Sequence, residues 1–396
     1  MAMQLLDSFV SHLECSFSSK CYDPGNLYKI SDAGRPLLVR YDLQSVKNAV
    51  AIADLALRPK DIWRYEELLP VPPGAEIVSL GENATPLIPL SRFAAETDAS
   101  RLLFKDESRL PNGTASARDL AVAVTMAKAL GVEHISMQNF GSDGRTLAAY
   151  CSRAGLNATI VCSEDTPKTA INEMAFYGAK IQMVAGPNAR RKNIMMKGIK
   201  EHGWFDIALL REPYRLEGRK TIGFELAEQL QWKLPDVIFY PTGNGAGLIA
   251  IWKAFHELEE IGWIGAKRPR MIAVQPAGCA PIVKAFEERK VFLDKPWGPV
   301  NTDIQSLRVP KPFGDFLCLQ VIHDSDGLGV MISDDEIWNI LKDVAITEGL
   351  NLGLEGALCL AAYKKLLTAG HISKRDQTVI VNNSRIQKFP IPAFTK

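Results

Sequence analysis

The sequence predicts an α/β protein in which parallel-rich sheets are flanked by helices, and two observations predict it. Beyond about residue 90, apolar runs of strand length alternate with longer segments whose apolar residues recur every three or four positions. One of those strands runs directly into a glycine loop that opens a helix, a junction typical of open α/β sheets.

The strands read in order as RLLFKDE (101–107), HISMQNF (134–140), NATIVCSE (157–164), KIQMVAG (180–186), DVIFYPTG (236–243), RMIAVQPAG (270–278) and QTVIVNNS (377–384). Between them lie helices such as ARDLAVAVTMAKALG, whose spacing buries one face and which stops at Gly131. Residues 1–90 mix short strands and turns, including GRPLLVRYDL, an edge strand followed by a helix from Asp42. No repeat or low-complexity linker interrupts the chain, so two interleaved lobes are expected, with any cleft at the carboxyl ends of the strands.

At 396 residues the chain exceeds one ordinary core, since domains run to roughly 100–200 residues. Lys plus Arg number 46 against 45 Asp plus Glu, which excludes the overall basic field that a nucleic-acid partner requires. No stretch approaches the roughly 20 apolar residues of a membrane span. The amino terminus lacks a basic region and carries Asp7 and Glu14, so a cytoplasmic protein is expected. The seven cysteines are scattered without CxxC spacing, which favours reduced thiols over disulfides or a metal site.

In DVIFYPTGNGAGLIAIWKAF, the residues Gly243, Asn244, Gly245, Ala246 and Gly247 join a strand to an amphipathic helix. Small residues there let backbone N–H groups crowd toward an anion at a helix N-terminus, which makes a phosphate cradle. A tight strand-to-helix turn explains the same residues equally well.

The run 211–255 resembles the corresponding segment of threonine synthases, and SLGENATPLIPL (79–90), LLFKDESRLPNGT (102–114), SEDTPKTAINEMAFYGAK (163–180), MIAVQPAGCAPIVKAF (271–286) and LRVPKPFGDFL (307–317) extend the likeness from about Glu14 to Pro390. The resemblance implies the fold-type-II architecture of pyridoxal-phosphate (PLP) enzymes, usually a homodimer, in which two open parallel-rich sheets flanked by helices enclose the site between lobes. It places residues 1–115 and 216–396 in a large lobe with an N-terminal extension, and 116–215 in a small lobe.

In such enzymes a lysine forms an imine with PLP, which then acts as an electron sink. The family's stretch resembles N-P-T-G-S-F-K-x-R-G, and the same positions here read from Leu110 to Asp119, with Ser116 in the place of the lysine. Two further cofactor contacts differ: Ser142 stands for the asparagine beside the ring hydroxyl, and Asn383 for the threonine beside the pyridine nitrogen. Charged residues Asp119, Asp143, Arg145 and Arg385 replace small ones on what read as loops facing the cofactor cavity, a direction that suggests remodelling for another polar ligand rather than decay. The alternative is that these side chains pair with one another, Arg145 with Asp143 or Asp119. The family's N-terminal cysteine pairs are incomplete, with Ser18 where a partner of Cys15 belongs, so no structural zinc is expected.

Lys105, Arg118, Lys220 and Arg308 match basic positions that lie near phosphates in threonine synthases, which implies an anionic ligand carrying a phosphate or carboxylate. Lys220 taken singly reads as an ion pair. Ser116, Asp119 and Asp143 are the candidates for proton transfer, with Arg145 and Arg385 able to stabilise an oxyanion. Helix capping is the rival role for Ser116 and Asp119. These residues point to PLP-independent acid–base chemistry of a lyase or cyclase type on a small anionic metabolite. Two alternatives stand beside it: a pseudoenzyme that binds a ligand or an active homologue, and a lyase that holds PLP non-covalently.

Overall fold

Strands in the computed structural model form where the apolar runs predict them, and the model describes residues 8–99, 101–138, 143–186 and 188–385. The chain divides into two units: Met1–Ala84, Ser116–Phe224 and His256–Trp263 form the first, and Thr85–Ala115, Glu225–Phe255 and Ile264–Lys396 the second. This partition differs from the expected one in placing the N-terminal segment with 116–224. Buried hydrogen bonds explain it: Val78 N donates to Thr125 Oγ1 at 3.0 Å, Tyr41 Oη donates to Glu217 Oε2 at 2.8 Å, and Tyr150 Oη donates to Glu82.

The second unit holds a six-stranded sheet in the order Leu328–Ile332, Arg270–Pro276, Val237–Pro241, Thr378–Asn382, Leu102–Asp106 and Leu87–Pro89, parallel except for its last pair. Val237–Pro241 is buried throughout, as a central strand covered on both faces must be. Phe104, Phe239, Ile272, Val274, Val330 and Ile380 share a core with the Leu354–Thr368 helix. The strand Leu328–Ile332 was not among those read from sequence, because Gly329 interrupts its apolar run. A Cβ at that glycine would lie 3.2 Å from the Val283 Cα, so the close packing there favours glycine.

The first unit carries a parallel four-stranded sheet in the order Lys180–Val184, Asn157–Ser163, His134–Gln138 and Phe205–Asp206. It also holds an antiparallel sheet of Cys21–Tyr22, Val10–Cys15 and Leu37–Tyr41. The expected edge strand and helix are present there: Leu37–Tyr41 is an edge, and Asp42 Oδ1 caps Leu43–Ala49 by accepting from Ser45 N at 3.0 Å. The helix Ser116–Ala129 is buried on every side from Ser116 to Ala127. The Tyr214–Gln229 helix crosses it at Gly218, where any Cβ would run into the Arg118 carbonyl oxygen. That close approach brings the neighbouring arginines of the second helix onto the first.

Candidate active site

At the crossing, Arg215 and Arg219 lie three residues before and one after Gly218, and their separation of four puts the two arginines on one helix face. Arg215 Nη2 donates to Asp119 Oδ2 at 3.1 Å and to Asp143 Oδ2 at 2.6 Å. Arg219 Nη2 donates to Asp119 Oδ2 at 2.7 Å, and Ser116 Oγ donates to Asp143 Oδ1 at 2.6 Å. Ser116, Asp119 and Asp143 are therefore brought together, and two arginines that sequence reading did not single out join them. The signal was present in the R-x-x-G-R spacing, but it becomes meaningful only once the glycine is known to be a helix crossing.

Asp119 and Asp143 sit in the first turns of the Ser116–Ala129 and Asp143–Ala154 helices, not on loops as expected. Asp119 is fully buried, while the Asp143 side chain keeps 26 % exposure and is the open member of the cluster. Burial pushes the Asp143 carboxyl up, but the Arg215 charge, the Ser116 hydrogen bond and the Arg219 charge outweigh it, so its pKa falls below the usual carboxylate range. Arg215 is itself fastened: burial disfavours its charge, and Asp119 and Asp143 more than restore it. Upstream of it, Glu212 Oε2 and Oε1 accept from Tyr214 N and Arg215 N, each at 2.8 Å, and hold the first turn of that helix. Burial pushes Glu212 up to about 7 despite those bonds.

Arg145 pairs with Glu173 at 3.1 Å, not with Asp143 or Asp119. The reason is angular. Two residues along a helix from Asp143 is a turn of about 200°, so Arg145 projects from the far side, and both aspartates already have arginines. Arg118 is buried and donates to Thr221 Oγ1 at 3.1 Å. Lys220 is enclosed by Glu217 at 2.5 Å and Glu257 at 2.8 Å, with the Tyr41 ring 4.0 Å away, so the ion-pair reading describes its surroundings.

In the second unit, Lys105 ion-pairs with Glu225 and donates at 2.9 Å to both Thr85 O and Gln229 Oε1. Three acceptors match the three protons of an ammonium, and the side chain has no solvent exposure. In the glycine loop, Gly245 has φ +83° and a Cβ there would run into Cys318 Sγ, while a Cβ on Gly247 would run into the Tyr240 hydroxyl. Gly243 packs against the Ser306 carbonyl, and Ala246 begins the helix Ala246–Glu260. Packing thus requires the glycines whether or not a phosphate is held. Asn244 Oδ1 accepts from Phe313 N at 2.9 Å, and Arg308 Nε donates to Thr302 O at 2.8 Å. Asn383 Oδ1 accepts from Tyr240 Oη at 3.3 Å, and the exposed Arg385 guanidinium lies over Gly113, itself at φ +63°. Ser142 lies outside the described residues.

A predominantly parallel sheet with a glycine turn after a central strand, and a second parallel sheet bearing a charged cluster, define the α/β architecture of fold-type-II PLP enzymes. The family model for "Pyridoxal-phosphate dependent enzyme" matches residues 78–384. The chain belongs to that family and is threonine-synthase-like. It is 33% identical over 383 residues to threonine synthase of Methanocaldococcus jannaschii, covering 96% of this chain and 93% of that protein. The threonine synthase of Methanosarcina acetivorans is 30% identical, covering 96% and 92%. Among solved structures, maize serine racemase matches with a TM-score of 0.65 at 21% identity over 76% of this chain and 88% of that one. The processed threonine deaminase isoform 2 of Solanum lycopersicum gives 0.64 at 18% over 76% and 79%. Among the described residues, no helix is long and apolar enough to cross a membrane.

Proposed function

We propose that this threonine-synthase-like chain works without a covalently tethered PLP, and that Ser116 and Asp143 handle a proton on a small metabolite bearing a phosphate or carboxylate. The observation that carries the reading is the hydrogen bond from Ser116 Oγ to Asp143 Oδ1 at 2.6 Å; the resemblance to threonine synthases puts the family's lysine at the position of Ser116. A tethered PLP does not suit these residues. A hydroxyl forms no imine, and Lys105 and Lys220, the two amines among the basic candidates, are buried in ion pairs. PLP bound non-covalently is the alternative chemistry.

A carboxylate held below its usual range is a weak base, which bears on the substrate. The pair suits a substrate whose leaving group is already a good one, such as a phosphate, more than an unactivated carbon acid. Asp119 Oδ1 and Arg215 Nε are buried without a hydrogen-bond partner among the described residues, so polar capacity is left over beside Asp143. A second reading, binding without turnover, is favoured by a different feature: two aspartates and two arginines neutralise one another inside the cluster.

Turnover and thermal-shift assays on a panel of small phosphate- and carboxylate-bearing acids separate the two. Ser116→Ala and Asp143→Asn are expected to lower turnover of the active substrate by at least about 100-fold, the low end for acid–base catalysis. Full activity in both variants contradicts the catalytic reading. Stabilisation by a panel member with no turnover supports the binding one.

A further inference from the structure

The helix Asn188–His202 of the first unit is charged in a way that its own stability does not explain. It carries Arg190, Arg191, Lys192, Lys197 and Lys200 against the single carboxylate of Glu201, in a chain whose overall charge is +1. Three of these cations fall in or next to the first turn, where no acidic residue is present and the helix dipole disfavours positive charge. Among the described residues the ion pair on the helix, Lys197 with Glu201 at 3.8 Å, runs in the less favourable order along the axis. Arg191 Nη1 donates to the Gly186 carbonyl at 3.4 Å, which accounts for one of these cations within the fold; the exposed lysines oppose the local rule without such a bond among the described residues, and that points to a role outside the fold.

The inward face is already used. Met195 and Trp204 form a buried cluster with Val161 and Val184, with Ile194 and Ile199 packed against it, and a Cβ on Gly198 would run into the Trp204 ring. The helix therefore has no free apolar stripe to insert into a lipid surface. Its outward face carries Lys192, Met196 and Lys200 at successive fourth positions, and Met196 is 68 % exposed between the two lysines. Lys180, on the edge strand that precedes this helix, adds to the positive field.

We propose that this face docks an acidic, extended segment of a partner protein with the pattern Glu-x-Leu-x-Glu, carboxylates on Lys192 and Lys200 and the apolar side chain on Met196. The spacing supports that form. Fourth neighbours on a helix are about 6 Å apart, and alternate residues of an extended strand, all on one face, are about 6.6 Å apart. Two carboxylates flanking one apolar residue therefore meet lysine, methionine and lysine in register. Nucleic acid is the weaker fit, because the helix carries no Phe, Tyr or Trp for base stacking, its His202 ring lies against Trp204, and an exposed methionine adds nothing to phosphate binding.

Fluorescence anisotropy of a labelled peptide of sequence Ser-Glu-Ser-Leu-Ser-Glu-Ser tests this on the full chain. Lys192→Glu with Lys200→Glu is expected to weaken binding at least tenfold, and Met196→Ser at least threefold. Raising the salt should weaken the wild type as well. A peptide with the same composition but adjacent glutamates should bind less well than the patterned one. All substituted side chains are exposed and lie outside the Ser116–Asp143 cluster, so turnover or ligand stabilisation at that cluster should be unchanged. Equal binding by the charge-reversed protein overturns the proposal. So does tighter binding of a single-stranded oligonucleotide, or of anionic phospholipid vesicles, than of the patterned peptide.

Discussion

Replacing Arg215 by methionine is expected to cost about 3–5 kcal/mol of stability, the range for removing one partner of a buried ion pair. Its guanidinium bonds Asp119 and Asp143, and Nη1 also donates to the Ile207 carbonyl at 3.3 Å. Without it, Asp119 keeps Arg219 and Asp143 keeps the Ser116 hydroxyl, but two carboxylates then share one cation in a buried cluster. The pH dependence has a definite sign. In the wild type the Asp143 pKa is lowered, so its contribution is present above the unfolded carboxylate value and is lost as pH falls through the folded one. In the variant, burial without Arg215 raises that pKa, so protonation relieves the folded state. The stability gap between variant and wild type should therefore be largest at neutral pH, begin to shrink as pH falls through the raised carboxyl pKa of the variant, and shrink further below about 4 as the wild type loses its own contribution. Urea denaturation at several pH values, with hydrogen exchange read on Tyr214–Gln229, measures it. A gap that does not change with pH would show that packing, not charge, dominates.

Lys105→Met is expected to be comparably damaging, again by about 3–5 kcal/mol, because it leaves Glu225 charged and buried. Glu225 would retain its bonds from Thr85 N at 2.6 Å and Thr85 Oγ1 at 3.1 Å, which limits the loss but does not neutralise the carboxylate. Adding Glu225→Gln removes the stranded charge, so the double variant should recover most of the stability, a coupling that a double-mutant cycle reads directly. Lys105 was singled out from sequence as an anion ligand, and this experiment separates the two roles. Loss of stability with unchanged ligand affinity in the folded fraction assigns it to the fold. Normal stability with lost affinity assigns it to the ligand.

Much of the architecture was legible because buried parallel strands leave long apolar runs, and RLLFKDE, DVIFYPTG and QTVIVNNS each became a strand of the six-stranded sheet. Leu328–Ile332 escaped for the opposite reason, since a glycine breaks its run for the sake of a tertiary contact that sequence does not display. The charged cluster was legible in its acids but not in its cations. Ser116, Asp119 and Asp143 could be read from their positions in the family's pattern, whereas Arg215 is identified as their partner only by the helix crossing at Gly218. Arg145, two residues from Asp143, was the natural sequence neighbour to choose, and helical rotation turned it toward Glu173.

The charged cluster, the buried lysines and the glycine loop all bear on one claim, that no lysine of this chain holds PLP covalently at the family's site. Incubation of the purified protein with PLP, borohydride reduction, dialysis and peptide mass spectrometry tests it most directly. The expected result is a colourless protein with no reduced pyridoxyl group on any lysine of the 78–384 region. A stoichiometric adduct on one such lysine, accompanied by a yellow absorbance before reduction, would contradict the account and return the chain to conventional PLP catalysis.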